Sequence, residues 1–122
     1  DRVFCAWIRA RDAGLPCICC GGTAQSAALT GGEWDAGHYR GRGAVSHLRY
    51  DPRNCHAQLK QCNRHAWDVA SYRTRLIERI GMEAVEELES DNRTHKWTRD
   101  ELREIRDTYR RKLRELRKAR KE

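Results

Sequence analysis

The sequence predicts an α+β domain: a small core of two short strands and a helix, a cysteine knuckle, an N-terminal helix and a long C-terminal helical extension. Three observations carry that expectation. Apolar residues recur at helical spacing near both ends of the chain. Short apolar segments bounded by glycine and proline stand between them. Cys17 and Cys20 stand with two residues between them in a glycine-terminated turn, with further thiols at Cys55 and Cys62. Only 39% of the 122 residues are hydrophobic and 35% are charged, so any core is small, and a domain this thin gains from a bound metal.

Taken in order, Val3, Phe4, Trp7, Ile8 and Arg11 follow the i, i+3, i+4 rhythm of an amphipathic helix, stopped by Gly14 and Pro16. Cys17 to Gly22 reads as a tight turn with the shape of a zinc knuckle. Residues 23 to 32 are small and polar, and Gly31-Gly32 closes a loop. Glu33 to Tyr39 reads as a strand, Gly41 to Gly43 as a flexible turn, and Leu48-Arg49-Tyr50 as a second strand ended by Asp51-Pro52. Asn54 then leads toward a helix near Gln58 to Trp67. Val69, Tyr72, Leu76, Ile77 and Ile80 form another amphipathic helix ended by Gly81, and Met82, Val85 and Leu88 a short one. Ser90 to Trp97 is a polar connection, and Thr98 with Glu101 forms a capping box for the last helix. The division expected is residues 1–97 as the body and 98–122 as a basic helix of the same unit.

That helix carries Leu102, Ile105, Tyr109, Leu113 and Leu116 in a narrow stripe, suited either to a partner helix in a homodimer or to folding back on its own domain. From Arg99 to Glu122 there are eleven Lys/Arg against six Asp/Glu, which is +5 of the net +7. A basic arm on a near-neutral body points to a polyanion, most often nucleic acid, although a solvated helix of mixed charge has the same composition. No run approaches the roughly 20 apolar residues of a membrane span. Six cysteines in a chain of intracellular character read as metal ligands or free thiols rather than a disulfide framework. The first residue is Asp1 rather than Met, as in a trimmed piece of a longer chain.

The chemistry is concentrated in Trp34-Asp35-Ala36-Gly37-His38-Tyr39-Arg40, Asn54-Cys55-His56 and Cys62-Asn63-Arg64-His65. A histidine on a short segment, then an asparagine, then a polar cluster opening onto a helix is the order of an HNH-type (ββα-metal) nuclease. Phosphodiester hydrolysis needs a base for the attacking water and positive charge for the developing phosphorane. His38 fits the base, and Asn54 fits the amide that holds the loop of that histidine. Asn63 and His65 stand where a helix start would present them as ligands or phosphate contacts. Asp35 and Asn63 are the candidate ligands for magnesium (or manganese), which needs few protein oxygens. Arg40, Arg42, Arg49 and Arg64 beside these motifs, and Arg103, Arg106 and Arg110 on the last helix, are the candidate DNA contacts. Duller alternatives stand beside each: His47 and His95 read as surface histidines, Asn54 also suits a plain turn, and Trp34 and Tyr39 read as core.

Cys17, Cys20 and Cys62 offer three ligands of a tetrahedral zinc site. A regular second knuckle wants a cysteine at 59, where Leu59 stands, which leaves Cys55 as the candidate fourth ligand. Cys19 is geometrically poorer, and Cys5 reads as a buried thiol.

On these residues the chain resembles the NinG/Rap family of lambdoid-phage recombination proteins. The carriers are Leu15-Pro16-Cys17-Ile18-Cys19-Cys20-Gly21, the Asp35-to-Arg40 string, Leu48-Arg49-Tyr50, Asn54 to Gln58 and Gln61 to His65. Tyr72-Arg73, Leu76 to Gly81, Glu83 to Val85 and His95 to Thr98 extend the likeness over nearly the whole chain. The resemblance implies a DNA endonuclease acting on branched recombination intermediates such as Holliday junctions and D-loops. It also implies a magnesium-type cofactor, structural zinc, and a phage-encoded protein in the cytoplasm of a bacterial host. Two departures bear on it. Leu59 replaces a family cysteine, which weakens zinc binding unless Cys55 substitutes. Ala66-Trp67-Asp68 replaces a Lys or Leu, Ser, Gly, Asn run and is one residue shorter, beside the active site. The competing function is therefore a catalytically weakened, zinc-stabilised junction-binding protein.

Overall fold

The structure, a computed structural model, describes residues 1–22, 34–64 and 69–121, with only the backbone described at Arg64. Helix α1 (Arg2–Arg11) is followed by the cysteine knuckle, strand β1 (Trp34–His38), two short 3-10 turns (Ser46–Leu48 and Pro52–Asn54), and strand β2 (Cys55–Leu59). Helices α2 (Lys60–Arg64), α3 (Val69–Ile80), α4 (Met82–Ser90) and α5 (Arg99–Lys121) complete the chain. The class is α+β, as the sequence predicts. β1 and β2 pair antiparallel, with Trp34 opposite Leu59 and His38 opposite Cys55.

The helices follow the apolar spacing. α1 buries Phe4 and Ile8, and Gly14 downstream adopts a positive φ of 88°, a conformation that ends the helix cheaply only in glycine. α3 buries Tyr72 and Leu76 and meets α4, which buries Val85 and Leu88, across Gly81 at φ 91°. The capping box forms as expected: Thr98 N–H donates to Glu101 Oε1 at 3.0 Å and Glu101 N–H to Thr98 Oγ1 at 3.1 Å.

Two assignments in the middle of the chain are corrected. Leu48-Arg49-Tyr50 is not a strand. Leu48 ends a 3-10 turn that sends its own side chain and that of Tyr50 into different apolar clusters, which a strand's alternation could not do. The second strand is Cys55–Leu59, at the start of what reads as helix. All five of its residues are buried, so no polar face marks its period.

The core is divided into small clusters. The largest joins Ile18, Tyr39, Val45 and Leu48 to the buried faces of α3 and α4. A second packs Phe4, Ile8, Tyr50, Cys55 and Tyr109 between α1, the sheet and α5. Its rings meet edge to face: Phe4 and Tyr109 lie 4.8 Å apart at 89°, Phe4 and Tyr50 5.5 Å apart at 88°. Such pairs add roughly 0.5–1.5 kcal/mol each beyond the area they bury. The stripe of α5 is thus used inside the chain. Tyr109 is 5% exposed against α1 and Ile105 packs on the same cluster, while Leu102 remains 39% exposed. Folding back on the domain is the use observed for Tyr109 and Ile105.

Along the edge of β2 that faces away from β1 lies a buried polar knot. Arg11 donates to the carbonyls of Pro52 at 2.9 Å and Cys55 at 2.7 Å and pairs with Asp12, whose Oδ2 accepts from Ala57 N–H at 2.8 Å. Burial alone would raise the Asp12 carboxyl, but the hydrogen bonds from Arg11 and Ala57 outweigh it and hold its pKa down. His56, 4% exposed, shares this knot. Burial first, then Arg11, pushes its pKa down to about 4, against the opposing pull of Asp12. In the unfolded chain His56 takes up its proton near pH 6.5. Between these values the unfolded state therefore binds more protons, so stability should fall as pH drops from about 6.5 toward about 4. The expected loss is on the order of 2 kcal/mol. Urea unfolding at pH 7 and pH 4.5 measures it, and a His56→Gln chain with the same pH dependence would assign the effect elsewhere.

Candidate functional site

The knuckle is built by the backbone. Cys17 N–H donates to Gly22 O at 2.8 Å and Gly21 N–H to Cys17 O at 2.9 Å, with Gly21 at a positive φ of 76°. The turn places Cys17 and Cys20 on one side, and Cys62, on α2, comes to meet them. The three sulfurs lie within 4.8 Å of one another, a spacing that could hold a metal ion such as zinc. Two sulfurs already accept backbone donors: Leu59 N–H reaches Cys17 Sγ at 3.3 Å and Gly22 N–H reaches Cys20 Sγ at 3.3 Å. Burial works against a Cys17 thiolate, but donors from Cys20, Leu59 and Cys19 prevail and lower its pKa. The donor set and these bonds fit a thiolate-held cation. Two arginines of α3 that sequence reading passed over clamp the turn from outside, Arg75 donating to Cys19 O at 2.6 Å and Arg79 to Pro16 O at 2.5 Å. Their i, i+4 spacing was the only available signal.

Cys55 does not complete this site. Its sulfur is buried with Phe4, Ile8, Tyr50 and Tyr109, 3.9 Å from His38 Nδ1, and its burial raises the thiol pKa. Cys55 and Leu59 stand at opposite ends of β2, four residues or about 13 Å apart along the strand. Leu59 is the residue at the knuckle, packed with Cys17, Cys19, Trp34 and Cys62. Leu59→Cys should therefore complete a tetrahedral set and raise zinc affinity roughly tenfold or more. Competition against a chromophoric chelator measures it, and an unchanged affinity would mean that another group already fills the fourth position.

His38 closes β1. Its Nε2 lies 2.9 Å from Arg49 O, and since a carbonyl only accepts, Nε2 carries the proton and Nδ1 is left as an acceptor, with the Cys55 thiol 3.9 Å from it. Asn54, fully buried, fixes that arrangement. Its Oδ1 accepts from Arg40 N–H at 2.8 Å, and its Nδ2 donates to Arg40 O at 3.1 Å and to Leu48 O at 3.2 Å. The amide thus ties the segment after His38 to the turn whose Arg49 carbonyl holds the imidazole. Burial, helped by the charges of Arg42 and Arg49, outweighs the hydrogen bond to Arg49 O and lowers the His38 pKa, so the ring is neutral at neutral pH.

His38, Asp35 and Asn63 line one cavity of about 470 Å³ with Cys5, Arg9 and Arg42. Asn63 Nδ2 lies 3.1 Å from Asp35 Oδ2, and Lys60 Nζ 3.5 Å from Asp35 Oδ1. Gly37, between Asp35 and His38 on β1, has its own constraint: a Cβ there would come within 2.0 Å of Gln58 Oε1. A carboxylate and an amide oxygen are the hard donors that a magnesium-sized ion takes. His65 lies outside the described residues, as does the side chain of Arg64.

The arginines divide. Arg40 is not a free DNA contact: its guanidinium donates to Leu88 O at 2.9 Å, Glu89 O at 2.7 Å and Asn92 Oδ1 at 2.7 Å, satisfying the C-terminal end of α4. Arg49 donates to Asp1 Oδ1 at 3.0 Å, and Arg42 lies 3.7 Å from the same carboxylate. Arg103, Arg106 and Arg110 are exposed along α5.

Fold and site together define a small α+β domain with a two-stranded antiparallel sheet and a three-cysteine candidate metal centre. The family model described as "Bacteriophage Lambda NinG protein" matches residues 1–120. The chain belongs to this NinG family of lambdoid-phage proteins. It is 48% identical over 118 residues to "Protein ninG" of Salmonella phage P22, covering 96% of this chain and 55% of that protein. Against the ninG protein of Escherichia phage lambda the identity is 47% over 118 residues, 96% of this chain and 55% of the relative. The chain thus spans about half the length of the curated relatives it matches. No solved structure matches it significantly. No helix among the described residues is long and apolar enough to cross a membrane.

Proposed function

We propose that this domain is a divalent-metal-dependent DNA endonuclease of the HNH (ββα-metal) type, acting on branched recombination intermediates. The observation that carries the reading is His38: a neutral imidazole held by Arg49 O at 2.9 Å through a loop fastened by buried Asn54, facing a cavity shared with Asp35 and Asn63. In this reading Nδ1 exchanges its contact with the Cys55 thiol at 3.9 Å for the attacking water and takes its proton, and Arg42 and Arg9, on the cavity wall, draw the phosphate in. Asp35 and Asn63 would hold the ion, which supplies positive charge to the phosphorane and the leaving oxygen.

One observation favours the alternative of a zinc-stabilised binding module without chemistry. Lys60 Nζ already lies 3.5 Å from Asp35 Oδ1 and offsets the charge an ion would need. Nicking of a labelled four-way junction, with and without magnesium and with linear duplex as control, separates the two. Magnesium-dependent nicking of the junction is expected, and binding without nicking at any magnesium concentration would overturn the nuclease. Within the same assay Asn63→Ala should raise the magnesium concentration needed for half-maximal rate by roughly 10-fold, the cost of losing one of few ligands. An unchanged titration would remove Asn63 from the ion.

A further inference from the structure

Beside α5 runs a groove of about 720 Å³, bounded by the start of α1, the turn at Ser46–Tyr50 and the segment at His95–Trp97. We propose that it holds the sugar-phosphate backbone of the DNA flanking the segment presented to His38, and that it does so without reading bases; this rests on the nuclease reading above.

The charge of the lining is one-sided. Arg2, Arg49, Arg99, Arg103, Arg106 and Arg110 line the groove against a single carboxylate, Asp1. Arg103 and Arg106 have only surface partners, Asp100 at 3.5 Å and Asp107 at 3.1 Å. Exposed pairs of this kind are worth little and give way to a phosphate. Glu101, another acid at the helix start, is already engaged by His95 at 2.7 Å and by Thr98 N–H.

The floor is apolar but closed to stacking. Tyr50 meets Phe4 at 88° and Trp97 at 87°, and the Trp97 indole N–H donates to Ser46 O at 2.9 Å. Phe4 and Tyr50 are buried, so neither offers a base a free face, and recognition falls to the arginines. From Arg99 to Arg110 the helix rises through eleven steps, about 16 Å, which matches roughly five phosphates of one strand.

The groove also adjoins the catalytic cavity. Asp1 receives Arg49 from the groove side and Arg42 from the His38 side, and the backbone carbonyl of Arg49 is the group that holds His38. A strand lying across His38 can therefore continue along α5. Contacts on both sides of the scissile phosphate would let the domain grip DNA arms rather than a single point.

Fluorescence anisotropy of the full chain, without added magnesium, tests this on a labelled four-way junction and on two duplexes of unrelated sequence. Replacing Arg99, Arg103, Arg106 and Arg110 together by Gln should reduce the slope of log affinity against log salt by about 3 to 4. The reduction should be the same for both duplex sequences. Arg111→Gln with Lys118→Gln, on residues outside the groove, should leave the slope unchanged. Should the fourfold variant not fold, each single Arg→Gln chain should lower the slope by about 1. An unchanged slope in the groove variants, an equal loss in the outside pair, or a loss confined to one sequence would overturn the proposal. Cleavage is read separately. A chain that loses slope in the groove variants yet never nicks with magnesium fails the nuclease reading and keeps the groove. A chain that nicks while its slope ignores the groove does the reverse.

Discussion

Replacing His38 by alanine should lower the rate of junction cleavage on the order of 100-fold or more, the contribution of a positioned general base. Junction affinity should stay within about 2-fold, because the ring is mostly buried and its polar partner is the backbone carbonyl of Arg49. The pH profile gives a second handle. Burial depresses the His38 pKa, so a wild-type rate limited by this base should decline at a more acidic pH than an ordinary histidine would give. Equal loss of binding and cleavage in His38→Ala would make the histidine structural. His38→Gln, which can keep a hydrogen bond to Arg49 O, guards against a collapsed loop: it should bind normally and still fail to cut.

Removing the metal from the knuckle should cost more stability than any single side chain named above. Ile18, inside the turn, is fully buried in the largest apolar cluster, and Arg75 and Arg79 tie the same turn to α3. Loosening the three sulfurs therefore loosens the packing of α3 and the placement of Leu59 on β2. Structural zinc contributes roughly 10–16 kcal/mol in small zinc-finger peptides, and a three-thiol site should lie below that range, on the order of 5 kcal/mol. Native mass spectrometry should find about one zinc per chain. Chelation, or Cys17→Ser, should lower the thermal midpoint by more than about 10 °C, given the 4–8 °C per kcal/mol of domains near this size. Metal-free protein with an unchanged, cooperative melt would remove zinc from the account of this fold.

What could be read from the sequence depended on whether burial left a period. α1, α3 and α4 each bury one face, and their apolar spacing located them. β2 buries all five residues, so Asn54-Cys55-His56-Ala57-Gln58 carried no alternation and passed for the entry to a helix. His38, Asn54, Asp35 and Asn63 were legible as a group from order and spacing. Where their atoms point was not, since it depends on Gln58 packing over Gly37 and on the Arg49 carbonyl reaching back across the turn. Cys55 was misassigned because nearness in sequence to Cys62 says nothing about a strand that carries the two apart. Arg40 was misassigned because charge in a sequence does not reveal that a helix end 48 to 52 residues away consumes it.

α1 and α5 lie side by side with the same sense. Phe4 meets Tyr109 near one end, and near the other Arg120 donates to the carbonyls of Ala10 and Arg11. That pairing closes a loop of about a hundred residues, so it cannot form until nearly the whole domain has been synthesised. On the ribosome, Phe4 and Trp7 must wait without their partner while the knuckle, the sheet and the α3–α4 pair assemble ahead of them. Docking of α5 then becomes the last step of folding. Hydrogen exchange should accordingly find the α1 and α5 amides opening together, ahead of those in α3.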